Sequence, residues 1–124
     1  MNLGRLARSF GNAWQGIKYV FKNEQNFRVQ IAAAIVVLVA GVVLRLDRAE
    51  FILILFLIIA VIVLELINSA VEKFADLLKP RLSHQIGVVK DIMAAMVFLA
   101  AFGSLVIGLI IFWPHLSECV WQIK

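Results

Sequence analysis

An all-α integral membrane protein, with an amphipathic surface helix ahead of three transmembrane helices, is the fold class that three observations predict. Hydrophobic residues make up 63% of the 124-residue chain and charged residues only 16%, too few polar side chains to wet a soluble surface. Ile92 to Trp113 runs for 22 residues with no charge and with Ser104 as its one strongly polar side chain, enough helix to cross a hydrocarbon core about 30 Å thick. Two further apolar runs, Ile31 to Leu44 and Phe51 to Leu64, are each shorter than a span and borrow flanking residues to cross.

The first element rests on Leu3, Leu6, Phe10, Trp14, Ile17 and Phe21, which recur at steps of three and four. They form one apolar stripe on a helix of about 3–22, whose other faces carry Arg5, Arg8, Asn12, Gln15, Lys18 and Lys22. That pattern suits a helix lying in the interface of the cytoplasmic leaflet, with docking against a partner protein as the alternative. The stretch lacks the apolar centre and small-residue cleavage site of a signal peptide, so the N-terminus is expected to be retained.

The first span is predicted at about 27–46, with Phe27 and Val29 extending its apolar run backwards. RLDRAE at 45–50 is a short polar connection in which Asp47 is placed to cap the next helix. The second span is predicted at about 49–78, because LELINSAVEKFADLL continues it with helix-forming composition. KPRLSHQIG at 79–87 reads as a break between Pro80 and Gly87, and the third span is predicted at about 87–113, stopped at Trp113 and Pro114. No repeat or composition shift divides the chain, which reads as one unit over 1–124.

The net charge of +4 does not mark a nucleic-acid surface, since the cations follow the helix ends instead of clustering in a groove-binding patch. Nine of the 12 lysines and arginines flank one side of the spans, and only Arg45, Arg48 and Lys124 the other. By the positive-inside rule the N-terminus and the 78–88 connection are cytoplasmic. Cys119 is alone and makes no internal disulfide. GSLVIG at 103–108 has glycine spacing like a phosphate loop but is followed by Leu109 and Ile110, where Lys and Ser or Thr are needed. Ala100, Ser104 and Gly108 share a face and suit close helix packing. His84 and His115 lack metal-ligand spacing and read as surface residues.

Chemistry concentrates on the second span. Glu65, Asn68, Ser69, Glu72 and Asp76 fall within an arc of about 100° at helical spacing. The stripe descends roughly 16 Å from Asp76 to Glu65, from the aqueous phase into the membrane. An ionised carboxylate facing lipid is costly, and a three-helix monomer offers little interior for two of them, so self-association is implied. Lys90 and Asp91 begin the third span, where free N–H groups and the helix dipole favour anions. Glu24, at the membrane surface, is placed to join Glu72 on a divalent cation. Metal, cation and deeper carboxylate together make a phosphoryl-transfer set in which the carboxylate takes a proton from an alcohol. Two other classes compete: a small ion or proton transporter using Glu65, and a non-catalytic assembly subunit whose polar stripe is interhelical glue.

ELINSAVEKFAD at 65–76, NEQNF at 23–27 and KD at 90–91 resemble the prokaryotic diacylglycerol kinase family, and the likeness runs from LARSFGNAWQGIKYVFKNEQNFR to IGLIIFWP. The resemblance implies a bacterial inner-membrane enzyme, a homotrimer with three spans and a surface helix per subunit, and active sites shared at subunit boundaries. It implies ATP and a membrane lipid alcohol as substrates and Mg2+ as cofactor. Glu65 would be the general base, and Glu24 and Glu72 would hold Mg2+ with the ATP phosphates. Arg5, Asn12, Asn68, Asp76, Lys90 and Asp91 would complete the nucleotide site, with Trp14, Gln30, Glu65 and Ala94 on the lipid side. Gln30 stands where Gram-negative diacylglycerol kinases carry an acid, and Ala94 where they carry a hydroxyl residue. With IGLIIFWPHL, these departures look more like the undecaprenol kinases of Gram-positive bacteria, and diacylglycerol is the alternative acceptor.

Overall fold

The chain enters its first helix at Asn2, whose extended backbone and side-chain oxygen, accepting the Arg5 amide at 3.3 Å, satisfy one of the orphan N–H groups of a helix start. The computed structural model describes residues 1–78 and 83–124. Over these it is all-helical: α1 (Leu3–Asn23), α2 (Gln25–Val43), α3 (Arg48–Leu78) and α4 (Ser83–Ile123). Three of them, α2, α3 and α4, are long and apolar enough to cross a membrane. α3 is the organising element, packed mainly on α4 and also on α2, while α1 touches α2 and α3.

α1 and α2 meet at Glu24, which ends the first helix and begins the second in extended backbone. The elbow is knitted by the buried side chains of Val20 and Phe27 and by an edge-on contact of the Phe21 and Phe27 rings, 6.5 Å between centroids. The Lys73 ammonium lies 5.3 Å from the Tyr19 ring centre, a cation–π contact that ties α1 to α3. Lys73 read as a topology charge alone, because nothing in the sequence shows that Tyr19 stands opposite it.

α2 ends in a left-handed turn. Arg45 has φ 57, its amide donates to Val42 O at 3.2 Å, and the Leu46 amide donates to Gly41 O at 3.0 Å, the pairing of a Schellman motif. Gly41 makes room for the turn: a Cβ there would meet Leu46 Cδ1 at 3.1 Å and the Phe51 ring at 3.4 Å. Asp47 caps α3 as its position predicts. Its Oδ1 accepts the Glu50 amide at 2.9 Å while Glu50 Oε2 accepts the Asp47 amide at 3.1 Å, a reciprocal capping box.

α4 departs from expectation at both ends. It begins at Ser83 and runs 41 residues to Ile123, through Gly87 and Pro114, so neither residue breaks it. The predicted break at Pro80 lies outside the described residues. A proline removes one helical N–H and crowds the carbonyl four residues back. In an apolar surrounding the remaining backbone groups still have no better partner than the helix itself. The helix also gains a bond from Ser117 Oγ to Pro114 O at 2.8 Å and a tie to α3 from His115 Nε2 to Glu50 Oε2 at 2.9 Å. His115 is thus half-buried and paired, not a free surface residue. Ser104 and Gly108 also differ from expectation. They line an open groove, and a Cβ at Gly108 would meet nothing within 4 Å.

Most of the apolar surface faces outward: Ile35, Val36, Phe56, Phe98, Leu99 and Ile110 are among many large exposed side chains. A water-soluble fold would bury these. In a membrane protein they face hydrocarbon or neighbouring helices, while Glu65 and Ser69 are buried.

Candidate active site

Glu65 is buried to 1% exposure, an unusual place for a carboxylate. α3 packs against both α2 and α4, and the helical repeat turns Glu65 inward with Ser69, which is also buried. The single chain therefore hides Glu65 by itself, and the expectation that burying the carboxylates requires a second copy is corrected for this residue. Gln30 of α2 supplies the partner, its Nε2 donating to Glu65 Oε2 at 3.3 Å. Among the described residues three buried polar atoms at this level lack a hydrogen-bond partner: Gln30 Oε1, Asn68 Oδ1 and Ser69 Oγ. Unmet acceptors and hydroxyls in an apolar interior are expensive, so this is a pocket of unused hydrogen-bonding capacity around a carboxylate.

Toward the C-terminal end of α3 the stripe opens. Asn68 and Glu72 are half-buried, and Asp76 is exposed. Lys90 Nζ donates to Asp76 Oδ1 at 2.7 Å, so α4 brings one predicted nucleotide residue onto another. Glu24 arrives from the α1–α2 elbow, half-buried, without a side-chain bond to the start of α2. Glu24 and Glu72 are the acidic neighbours whose charge acts on Glu65. Among the described residues no group of three or more histidine, cysteine or acidic side chains stands close enough to hold a metal ion alone.

The predicted residues separate into two sets. Gln30 and Glu65 touch, Asp76 and Lys90 touch, and Glu24 and Glu72 lie within electrostatic reach of Glu65. Arg5, Asn12, Asp91 and Ala94 are exposed and stand apart from these pairs. Trp14 is exposed and lines an open cleft between α1 and α2 with Lys18, Phe21, Phe27 and Ile31. Arg28, in the sequence only one of the cations flanking the spans, donates from Nη1 to the carbonyls of Phe21 at 2.8 Å and Lys22 at 2.9 Å. Its only sequence signal is a cation one turn inside α2.

An apolar groove of about 480 Å³ between α2, α3 and α4 begins at Gln30 and runs past Val37, Ile58, Val61 and Ser104 toward Leu116. A buried carboxylate hydrogen-bonded to a residue that lines an apolar groove, on a helix whose stripe continues to exposed charged groups, can serve a reaction between a membrane-dissolved molecule and a water-borne one.

The family model for prokaryotic diacylglycerol kinase matches residues 11–112, and the chain belongs to that family. It is 37% identical over 114 residues to an undecaprenol kinase of Bacillus subtilis, covering 92% of this chain and 93% of the relative. It is 31% identical over 112 residues to a diacylglycerol kinase of Synechocystis, covering 90% of this chain and 64% of that protein. A diacylglycerol kinase of Escherichia coli is 26% identical over 111 residues, at 90% and 91% coverage. The chain is therefore an ATP-dependent lipid kinase, with ATP and a lipid alcohol as its substrates.

Proposed function

We propose that the chain transfers the γ-phosphate of Mg-ATP to the hydroxyl of undecaprenol, with Glu65 as general base. The observation that carries this reading is the Glu65 carboxylate, almost fully buried and held by Gln30, which itself lines an apolar groove. The alcohol oxygen attacks the γ-phosphorus as its proton passes to Glu65. The new O–P bond forms while the bond from the γ-phosphorus to the bridging oxygen breaks, and ADP leaves. Ser69 and Asn68, with unused polar atoms at the same level, are positioned to hold the hydroxyl.

Glu24 and Glu72 would hold Mg2+, whose contribution when bound is to neutralise phosphate charge. Two carboxylates suit a small hard cation that takes its other ligands from phosphates and water, and the absence of a larger acidic cluster among the described residues is consistent with that sharing. Asp76 and Lys90 would orient the phosphates, Lys90 donating directly and Asp76 steadying it through their 2.7 Å contact. Asp91, Arg5 and Asn12 would reach the nucleotide from α4 and α1. Trp14, Gln30 and Ala94 would face the lipid.

Undecaprenol is preferred to diacylglycerol because the groove beyond Gln30 offers Ser104 as its one other polar side chain, little to recognise the ester groups of a glycerolipid, and because of the 37% identity to an undecaprenol kinase. Diacylglycerol is the second reading, supported by the relatives so named. α1 would lie on the cytoplasmic leaflet with its Leu3–Phe21 stripe in the lipid, the N-terminus and ATP site would face the cytoplasm, and the exposed apolar faces would assemble a homotrimer in the inner membrane.

Transfer of labelled γ-phosphate from Mg-ATP in lipid micelles, with undecaprenol and diacylglycerol side by side and Glu65→Gln as control, tests the proposal. Labelled undecaprenyl phosphate is the expected product. Preferential labelling of diacylglycerol would move the chain to the second reading, and equal turnover by Glu65→Gln would remove the base assignment.

A further inference from the structure

Glu24 and Arg28 stand four residues apart at the start of α2, a spacing at which a carboxylate and a guanidinium ordinarily pair on one helix face. They do not pair. Arg28 instead reaches back to the carbonyls of Phe21 at 2.8 Å and Lys22 at 2.9 Å, in the last turn of α1. Those carbonyls have no donor within their own helix and carry the negative end of its dipole. The neighbouring Val20 carbonyl is already taken by the Glu24 amide at 2.8 Å. Among the described residues the Glu24 side chain makes neither an ion pair nor a capping bond.

We infer that Arg28 is a positioning residue: by clamping the end of α1 from α2 it fixes the elbow angle and leaves the Glu24 carboxylate unneutralised for a divalent cation. This role of Arg28 rests on the proposed metal role of Glu24 and is what makes it possible. A carboxylate neutralised by its own helix neighbour would offer a cation little. A carboxylate on a loose elbow would have to be ordered by each metal-nucleotide that arrives. Arg28 removes both obstacles with one side chain, and Val20, Phe27 and the Phe21 ring hold the joint from the apolar side. Lysine cannot substitute well. Its ammonium is a compact, strongly hydrated charge on a flexible stem, without the rigid planar guanidinium whose Nη1 donates to both carbonyls, and at position 28 it would fall back on Glu24.

The test uses the full chain in lipid micelles with two readouts besides turnover. Spin labels at Ser9 and Val36 in a Cys119→Ser background, diluted with unlabelled protein, report the α1–α2 distance. Mn2+ binding in the presence of a non-hydrolysable ATP analogue, followed by the loss of free Mn2+ signal, reports the metal site. Arg28→Gln is expected to broaden the distance distribution. Both Arg28→Gln and Arg28→Lys are expected to weaken Mn2+ about tenfold, equivalent to the loss of a favourable contact of ordinary strength. Unchanged Mn2+ affinity in both variants overturns the inference, as does an unchanged distance distribution in Arg28→Gln. Wild-type Mn2+ affinity in Glu24→Gln would overturn the metal role of Glu24 itself, and the inference with it, while the distance measurement still reports the elbow independently.

Discussion

At Glu65 two requirements conflict. A buried carboxylate is destabilising unless hydrogen-bonded, and a single neutral donor, Gln30 Nε2 at 3.3 Å, meets that need only in part. Glu65→Gln should therefore leave the fold as stable as before or more so, while reducing kcat by about 10² to 10⁴, the range of a lost general base, with little change in KM for Mg-ATP. Steady-state kinetics beside unfolding in detergent checks both halves together. Gln30→Leu is expected to do the reverse to stability. It strands a buried carboxylate, which costs about 1–3 kcal/mol, and it lowers kcat through misorientation of the base. A Gln30→Leu protein of unchanged stability would mean that the hydrogen bond is not formed in the membrane. The residue types at these positions could be read from the sequence, as could their common helix face. Which of them is buried could not, because that depends on how α2 and α4 lean on α3. Gln30 and Glu65 are 35 residues apart in the chain, and no local spacing rule reaches that far.

Among the elements, the α2–α3 turn is the most clearly reasoned from local chemistry. Asp47 is legible as an N-cap, and Glu50 three residues later completes the box. Asp47→Ala should cost about 1 kcal/mol in thermal or detergent unfolding. Arg45 is a different matter. It adopts a left-handed φ of 57, a region costing an ordinary residue about 1–2 kcal/mol, and composition gives no hint of it. Arg45→Gly should relieve that strain and raise the unfolding midpoint, whereas a lowered midpoint would show that the arginine side chain makes a compensating contact in the membrane. The carry-through of α4 past Pro114 was also hidden from sequence rules. Those rules are weighted by water-exposed helices, in which a freed carbonyl has solvent to turn to and the helix can end there.

For the whole molecule, the outward-facing apolar residues and the proposed trimer make one argument. Crosslinking and native mass measurements in mild detergent should give a trimer, and Glu65→Gln should give the same assembly, because Glu65 is already buried within its own chain. A variant that dissociates would return the polar stripe to the role of interhelical glue. The Asp76–Lys90 pair belongs to this scale too, since it bridges α3 and α4. With its members 57% and 28% exposed, it should add less than about 1 kcal/mol to stability. Lys90→Met is expected to raise KM for Mg-ATP well before it affects unfolding.

By itself the sequence determined that this chain belongs in a membrane, that three helices are long and apolar enough to cross it, and which face of the second span carries the polar stripe. Those properties follow from composition, run length and helical periodicity, which are local and need no partner. Tertiary structure alone decided that Glu65 is buried against Gln30, that Asp76 meets Lys90, that Arg28 closes the end of α1 in place of pairing with Glu24, and that α4 continues through its proline. Each of these depends on which groups remain without a better partner once the helices have packed, a competition that is resolved only in three dimensions.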